Sequence, residues 1–316
     1  MLTYRRSCEE MTGKRGRIRL LATDIDGTLL RVDHTLSGCV REGVLELERA
    51  GIPVVLATGR RYSQAYELAQ RLELKTSLIA AGGAIIRDPW THETRFRAKF
   101  EPDLLLQGLS TAMESGVTPY LYTDRFPEWP DVLAPWGISE EFCERYPECG
   151  EYFARNAASI AVIPECFGLE STGDVPGGPT DERVRQACRE GIFTWFAVGT
   201  WDEMSALRDL LNGRFPGRFE MNVLRGPKYS GVFCEVLPAG IHKWSAVQRV
   251  ARMSGIADDE ICAVGDDVND LRMFRGAGIG VAMGNAAEHV VAEADMVVPS
   301  NVADGICELF HWLVER

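Results

Sequence analysis

Short, wholly apolar runs that stop abruptly at Thr, Gly or Asp recur along this chain, and they constrain its fold more than any other feature. Pro53-Val54-Val55-Leu56-Ala57, Ile261-Cys262-Ala263-Val264 and Ile279-Gly280-Val281-Ala282 carry no polar face. A strand without a polar face is covered on both sides, as in a parallel sheet flanked by helices. Ile18 to Ala22, Ser77 to Ala81 and Met296-Val297-Val298 read as further strands. Helical stretches alternate with them. Ser37 is an N-cap candidate for a helix that turns Val40, Val44, Leu45 and Leu47 inward and ends at Gly51. A second passes through Tyr66, Leu68, Ala69 and Leu72, and later ones span 243–253, 267–274, 286–294 and 304–314. Residues 18–88 and 239–316 therefore predict one α/β, doubly wound parallel sheet.

Between those blocks, residues 89–238 change character, with frequent Pro, Gly and aromatic residues. Strand candidates are 119–122, 159–163, 194–198, 218–224 and 231–236; helical candidates are 181–190 and 202–211. Gly226-Pro227-Lys228-Tyr229 is placed to turn one strand onto the next. The segment is long enough to be an α+β domain inserted into the first. Tyr120, Tyr122 and Trp129 are expected in its core. Residues 1–17 read as a disordered polar tail holding the one basic cluster.

A net charge of −12 argues against a nucleic-acid or anionic-membrane surface, which a concentrated basic patch would otherwise have to create. No stretch resembles a signal-peptide core or a membrane span, so a cytoplasmic, soluble protein is expected. The nine cysteines form no Cys-x-x-Cys pair, and Cys143, Cys149, Cys166 and Cys188 are irregularly spaced, so reduced structural thiols are expected.

Chemistry gathers where the strands end. Asp24 and Asp26 close the first strand and, two apart on an extended chain, point the same way. Two carboxylates so held are costly unless a cation or shared proton compensates. Thr58 ends a second strand, Lys243 opens a helix, and Gly265-Asp266-Asp267-Val268-Asn269-Asp270 follows another strand. Taken singly, each has an ordinary reading as a turn, a helix cap or a surface lysine. In a doubly wound sheet all of them reach one edge, where ligands bind. Carboxylates beside an ammonium and a hydroxyl suit Mg²⁺-assisted chemistry on phosphate.

With Asp24-Ile25-Asp26-Gly27-Thr28, Thr58-Gly59-Arg60, Lys243 and Gly265 to Asp270 in this order, the chain resembles the haloacid dehalogenase-like (HAD) phosphohydrolases. The branch it resembles is the Cof type, whose cap lies between the second and third motifs; Gly280 to Ala286 and Asn301 to Gly305 resemble it too. The resemblance implies that Asp24 attacks phosphorus to give an aspartyl phosphate. Asp26 would protonate the leaving alcohol and then take a proton from water. Ile25, Thr58, Gly59, Lys243 and Asn269 would bind the phosphoryl group. Mg²⁺ would be held by Asp24, the Asp26 main-chain carbonyl and Asp266, with Asp270 behind them orienting metal-bound water or Lys243. The expected activity is hydrolysis of a small phosphorylated metabolite such as a sugar phosphate. A phosphomannomutase-type mutase and a non-enzymatic phosphate sensor are the alternatives. The P-type ATPases share the nucleophile but need membrane helices. Arg60 and His242 read as ordinary polar residues beside the site. Two departures from the resemblance stand out. Gly82 replaces the usual Asn, removing a side-chain hydrogen bond, and Asp267 adds charge beside the metal site, facing water or tuning metal affinity.

Overall fold

The computed structural model describes residues 17–124, 126, 127, 130–135, 140–145, 157–163, 191–225 and 231–315. The tail read at 1–17 (but for Arg17), the helix at 181–190, the turn at 226–229, Trp129, Cys149, Cys166 and Cys188 lie outside these residues. The chain begins with β1 (Leu20–Thr23), α1 (Gly38–Arg49), β2 (Val54–Leu56), α2 (Tyr66–Arg71), β3 (Leu78–Ala80), β4 (Ile85–Arg87) and β5 (Thr94–Arg97). There follow α3 (Pro102–Glu114), β6 (Pro119–Thr123), β7 (Val132–Ala134), α4 (Glu140–Arg145), β8 (Ile160–Val162), β9 (Ile192–Gly199), α5 (Trp201–Arg214), β10 (Phe219–Arg225) and β11 (Val232–Pro238). The last block is α6 (Lys243–Met253), β12 (Ile261–Gly265), α7 (Leu271–Gly276), β13 (Ile279–Met283), α8 (Glu288–Val291), β14 (Met296–Val298) and α9 (Ile306–Val314). Two compact units result, one from the described parts of Met1–Phe96 and His242–Arg316, the other from Arg97–Ile241.

The first unit is the α/β sheet expected from the apolar runs. Its strands lie in the order β14-β13-β12-β1-β2, all parallel, and every residue of β1, β2, β12 and β13 is buried. An isolated parallel bridge from Ala57 to Ile79 joins the end of β2 to β3, which turns back through β4 and β5. Thr23 pairs with both Val264 and Leu56, so β1, β2 and β12 finish level with one another. That register sets the site. Helix α6 packs Trp244, Ala246, Val247, Val250 and Ala251 into one core with Leu20, Ala22, Val55 and Ile261. Helices α1 and α9 pack together, with Val40, Val44 and Leu47 buried from one and Ile306, Leu309, Phe310 and Leu313 from the other. Ser37 caps α1 as expected, its Oγ accepting from Val40 N at 3.1 Å.

The expectation of reduced thiols meets one exception: Cys39 on α1 and Cys307 on α9 are joined as a disulfide, with their Cα atoms 6.6 Å apart. The first turns of the two helices lie side by side, within the span such a bond needs. Among the described residues Cys143 and Cys234 are free thiols.

The second unit is built on a six-stranded sheet, β10-β11-β9-β6-β7-β8, antiparallel except where β7 meets β8. Its core joins Leu104, Leu105 and Leu109 of α3 and Met204, Leu207 and Leu211 of α5 to Trp195, Cys234 and Val236. The expected strands are present within a residue or two. Helix α3 was not anticipated, although Pro102 at its first turn is a start signal. Tyr120 and Tyr122 are core residues, their rings 5.3 and 4.8 Å from that of Phe196. No described helix is long and apolar enough to cross a membrane.

Candidate active site

The site grows from a single buried ammonium. Lys243, 2% exposed, donates from Nζ to Asp24 Oδ1 at 2.6 Å, Asp270 Oδ1 at 2.7 Å and Asn269 Oδ1 at 3.1 Å. Three acceptors use all three donors of the ammonium. Asp24 is held at the end of β1 by its N–H, which donates to Val264 O at 3.0 Å. Lys243 is the first residue of α6, and His242 caps it: the imidazole Nδ1 accepts from Ser245 N at 3.1 Å while Ser245 Oγ accepts from His242 N at 3.1 Å. The cap fixes the start of the helix, and with it the origin of the lysine side chain.

His242 is thus more than an exposed polar neighbour. Burial, helped by the charge of Arg272, pushes its imidazole down to about 4, keeping it neutral and able to accept. Because the folded value lies below the ordinary 6.5, the cap's contribution is whole above that pH and is lost as pH falls from about 6.5 toward 4. His242→Asn, which keeps a capping acceptor but cannot titrate, is expected to lose less stability between pH 7 and pH 5 than the wild type. Urea midpoints of both proteins at the two pH values test this; equal losses would contradict it.

The carboxylates outnumber the ammonium. One ligand oxygen each from Asp24, Asp266 and Asp270 lies within 4.8 Å of the others. Burial raises the Asp24 carboxyl well above its ordinary value in spite of Lys243, and Asp270, Asp266 and Asp26 add to the rise. Burial and the charge of Asp270 push Asp266 up to about 7. Burial alone would lower the lysine, but the charges of Asp24 and Asp270 outweigh it and raise it. A cluster of hard oxygen donors that resists its own ionisation fits a divalent cation such as Mg²⁺.

The loop after β12 is braced by its own acids. Asp270 Oδ2 accepts from the N–H groups of Asp266 and Asp267 at 3.0 and 3.2 Å, and Asp267 Oδ1 accepts from Val268 N at 2.7 Å. The stretch expected as a helix from 267 is accordingly a tight 3-10 turn at 268–270 leading into α7. Asp267, expected in water or at the metal, is half-buried and caps that turn. Asp266 is oriented by Thr28 Oγ1, donating to Oδ1 at 3.2 Å, and by Asn285 Nδ2, donating to Oδ2 at 3.3 Å and to Gly27 O at 2.9 Å. Gly27 has φ 74, and a Cβ there would lie 2.0 Å from Asp266 Oδ2, so glycine is required. Asn285 in turn accepts from Asn301 N at 2.9 Å, and Asn301 Nδ2 donates to Leu30 O at 2.8 Å. The next helix, α8, starts at Glu288 and not near 286, after a turn in which Ala286 N donates to Met283 O at 3.0 Å.

Thr58 follows β2, one strand from Asp24, and is buried; its N–H donates to Ile79 O and its carbonyl accepts from Gly82 N, each at 3.0 Å. Gly82, with φ 64, ties the ends of β2 and β3 through its main chain in place of a side chain. Gly59 is half-buried beside it. Ile25 is fully buried, and its carbonyl accepts from Leu29 N and Leu30 N at 3.0 Å. The bland reading of Arg60 does not survive. Its Nε donates to Asp26 Oδ2 and its Nη2 to Asp26 Oδ1, both at 2.6 Å, and His34 Nδ1 lies 3.3 Å from Asp26 Oδ1. Burial would raise the Asp26 carboxyl, but the hydrogen bonds and charge of Arg60, with those of His34, hold it below the usual carboxylate range. Thr28, Asn285 and Asn301 join the site through partners more than two hundred residues away, Arg60 across the neighbouring strand, and His34 through the turn after β1. Thr28, Arg60, Asn285 and Asn301 lie in motifs visible in the sequence, whereas His34 carried no such signal.

The chain matches known proteins over most of its length. The family model for haloacid dehalogenase-like hydrolases matches residues 21–127 and 185–310. The chain is 27% identical over 298 residues to the 5-amino-6-(5-phospho-D-ribitylamino)uracil phosphatase YcsE of Bacillus subtilis (strain 168), covering 94% of this chain and 96% of that protein. It is 26% identical over 303 residues to the HMP-PP phosphatase of Serratia proteamaculans (strain 568), covering 93% and 95%. A solved structure described as the HAD subclass IIB sugar phosphatase BT4131 superposes with a TM-score of 0.69 at 21% identity, covering 94% and 99% of the two chains.

Proposed function

Because the chain belongs to the haloacid dehalogenase-like hydrolases, in their Cof-type branch, and is a phosphatase, we propose that it is a Mg²⁺-dependent enzyme hydrolysing a small phosphorylated metabolite through an aspartyl phosphate. The observation that carries this reading is the buried Lys243 ammonium bridging Asp24 and Asp270 at the level ends of the strands. Asp24 Oδ attacks phosphorus and the bond to the leaving oxygen breaks, that oxygen taking a proton from Asp26. Water then attacks the aspartyl phosphate, giving its proton to Asp26 as the bond to Asp24 breaks. Lys243 keeps Asp24 in line and offsets the charge that gathers on the phosphoryl oxygens. Thr58, Asn269 and the main chain at Ile25 and Gly59 bind those oxygens. Asp24, Asp266 and the Asp26 carbonyl would hold Mg²⁺, with Asp270 steadying the loop and the lysine. Bound there, the ion supplies positive charge that masks repulsion between the anionic nucleophile and the phosphate.

Residues 18–88 and 239–316 serve as the catalytic core in this reading, and 89–238 as the cap that selects the substrate. Sugar phosphates, 5-amino-6-(5-phospho-D-ribitylamino)uracil and HMP-PP, the substrates named for the relatives, head the candidates. The test is release of inorganic phosphate from a panel of such metabolites by the purified protein. Release is expected from at least one, abolished by EDTA and restored by Mg²⁺. No release from any member in the presence of Mg²⁺, or release that EDTA leaves unchanged, would overturn the proposal.

A further inference from the structure

Asp26 is held by a structure that its proton-transfer role does not by itself require. The Arg60 guanidinium meets it edge-on, with Nε and Nη2 each 2.6 Å from a different carboxylate oxygen. A forked pair fixes both the plane and the rotamer of a carboxylate, which a single hydrogen bond or a nearby point charge does not. Arg60 is itself placed by the end of β2: its N–H donates to Thr58 Oγ1 at 3.1 Å and its carbonyl accepts from Ala81 N at 2.8 Å. The phosphate-binding threonine and the proton-transfer aspartate are therefore referred to the same three residues.

The opposite side is fixed with equal care. His34, whose ring approaches Asp26 Oδ1, has φ 61, a conformation that is strained for a non-glycine residue and persists only where its surroundings impose it. Those surroundings are visible. His34 N donates to Arg31 O at 2.8 Å, Arg31 forms an ion pair with Asp304, and Asn301 Nδ2 donates to Leu30 O. The loop after the nucleophile is thus anchored to the segment before α9, and the strained residue is the one that touches Asp26.

From this we infer that Arg60 is a positioning residue, assisted by His34, whose fork sets the Asp26 carboxyl in the orientation from which it exchanges protons with the leaving oxygen and with water. The inference rests on the phosphatase reading above. Its consequence is selective. A leaving group that departs well without a proton gains little from an oriented acid, whereas one that needs the proton loses most when the acid is free to turn. Charge alone is not enough, so a lysine does not replace the fork.

The experiment uses substituted phenyl phosphates, from p-nitrophenyl phosphate to p-methoxyphenyl phosphate, with wild type, Arg60→Ala, Arg60→Lys and Asp26→Asn, and reads kcat and KM for each. The wild type is expected to depend weakly on the leaving phenol. Arg60→Ala and Arg60→Lys should both steepen that dependence, losing about tenfold or more in kcat on p-methoxyphenyl phosphate and less than about threefold on the nitrophenyl ester, with KM little changed. Guanidinium ion should restore part of the loss in Arg60→Ala, and the Asp26→Asn/Arg60→Ala double variant should fall no further than Asp26→Asn. Melting temperatures identify any variant that has not folded; if Arg60→Ala fails to fold, Arg60→Lys carries the test. A uniform loss across the series, no loss, or full activity in Arg60→Lys would overturn the inference while leaving the phosphatase reading intact. Absence of wild-type turnover on every ester and metabolite would overturn that reading and the inference with it.

Discussion

Asp24→Asn removes turnover, by on the order of 10⁴-fold or more in kcat, and leaves the fold as stable as before or slightly more so. The first half follows from its proposed role, since an amide oxygen in the same place is too poor a nucleophile to form the phosphoryl-enzyme. The second half follows from the charge count. Asp24 shares a buried cluster with Asp266 and Asp270 against one ammonium, and burial already disfavours its negative form. Asn keeps the oxygen that accepts from Lys243 and removes one of the competing charges, so the expected stability change is within about 1 kcal/mol. Phosphate release and a urea midpoint, measured on the same preparation, check both halves. Retained turnover would remove Asp24 from the nucleophile's role, and marked unfolding would show that the carboxylate cluster is held together in some other way.

Lys243→Met behaves in the opposite sense. The side chain is nearly the same length, but Asp24 and Asp270 lose the ammonium that lies 2.6 and 2.7 Å from them. Removing one partner of a buried ion pair typically costs about 3–5 kcal/mol, because the charge left behind is neither solvated nor paired. Turnover and stability should both fall. The double variant Asp24→Asn/Lys243→Met separates the two effects: with one buried carboxylate neutralised, part of the lost stability returns, while activity does not. Denaturant unfolding of the four proteins closes the cycle. Equal midpoints for wild type and Lys243→Met would show that solvent, not the lysine, stabilises these carboxylates.

The contrast between these variants bears on what could be seen in the sequence. Asp24, Asp26, Thr58, Lys243 and the Gly265 to Asp270 loop were legible because each ends or begins an element whose apolar pattern is unbroken. The called elements followed from the same pattern: α6 begins and ends at the expected residues and the expected strands match closely, whereas β4, β5 and β7 had no counterpart in the sequence reading. Where the expectation slipped, side chains had taken over main-chain hydrogen bonds. Asp267 and Asp270 turned the start of a helix into a 3-10 turn. Periodicity records which residues face a core and is blind to such competition.

The sequence by itself determined the chemical inventory of this protein: a parallel sheet, an inserted α+β segment, and acids, a lysine and a threonine at strand ends. Local patterns carry that much because burial on both faces of a strand is written in consecutive residues. Only the tertiary structure decided who partners whom. Arg60 was an ordinary arginine until the register of β1 against β2 set its fork on Asp26, and His242 an ordinary histidine until burial left it neutral at the head of α6. The excess of carboxylates over ammonium exists only where β1 and β12 finish level, with Asp24 and Asp266 more than two hundred residues apart in the chain. Electrostatic and hydrogen-bond energies depend on distances of a few ångströms and on exclusion of water, and neither is a property of residues taken in order.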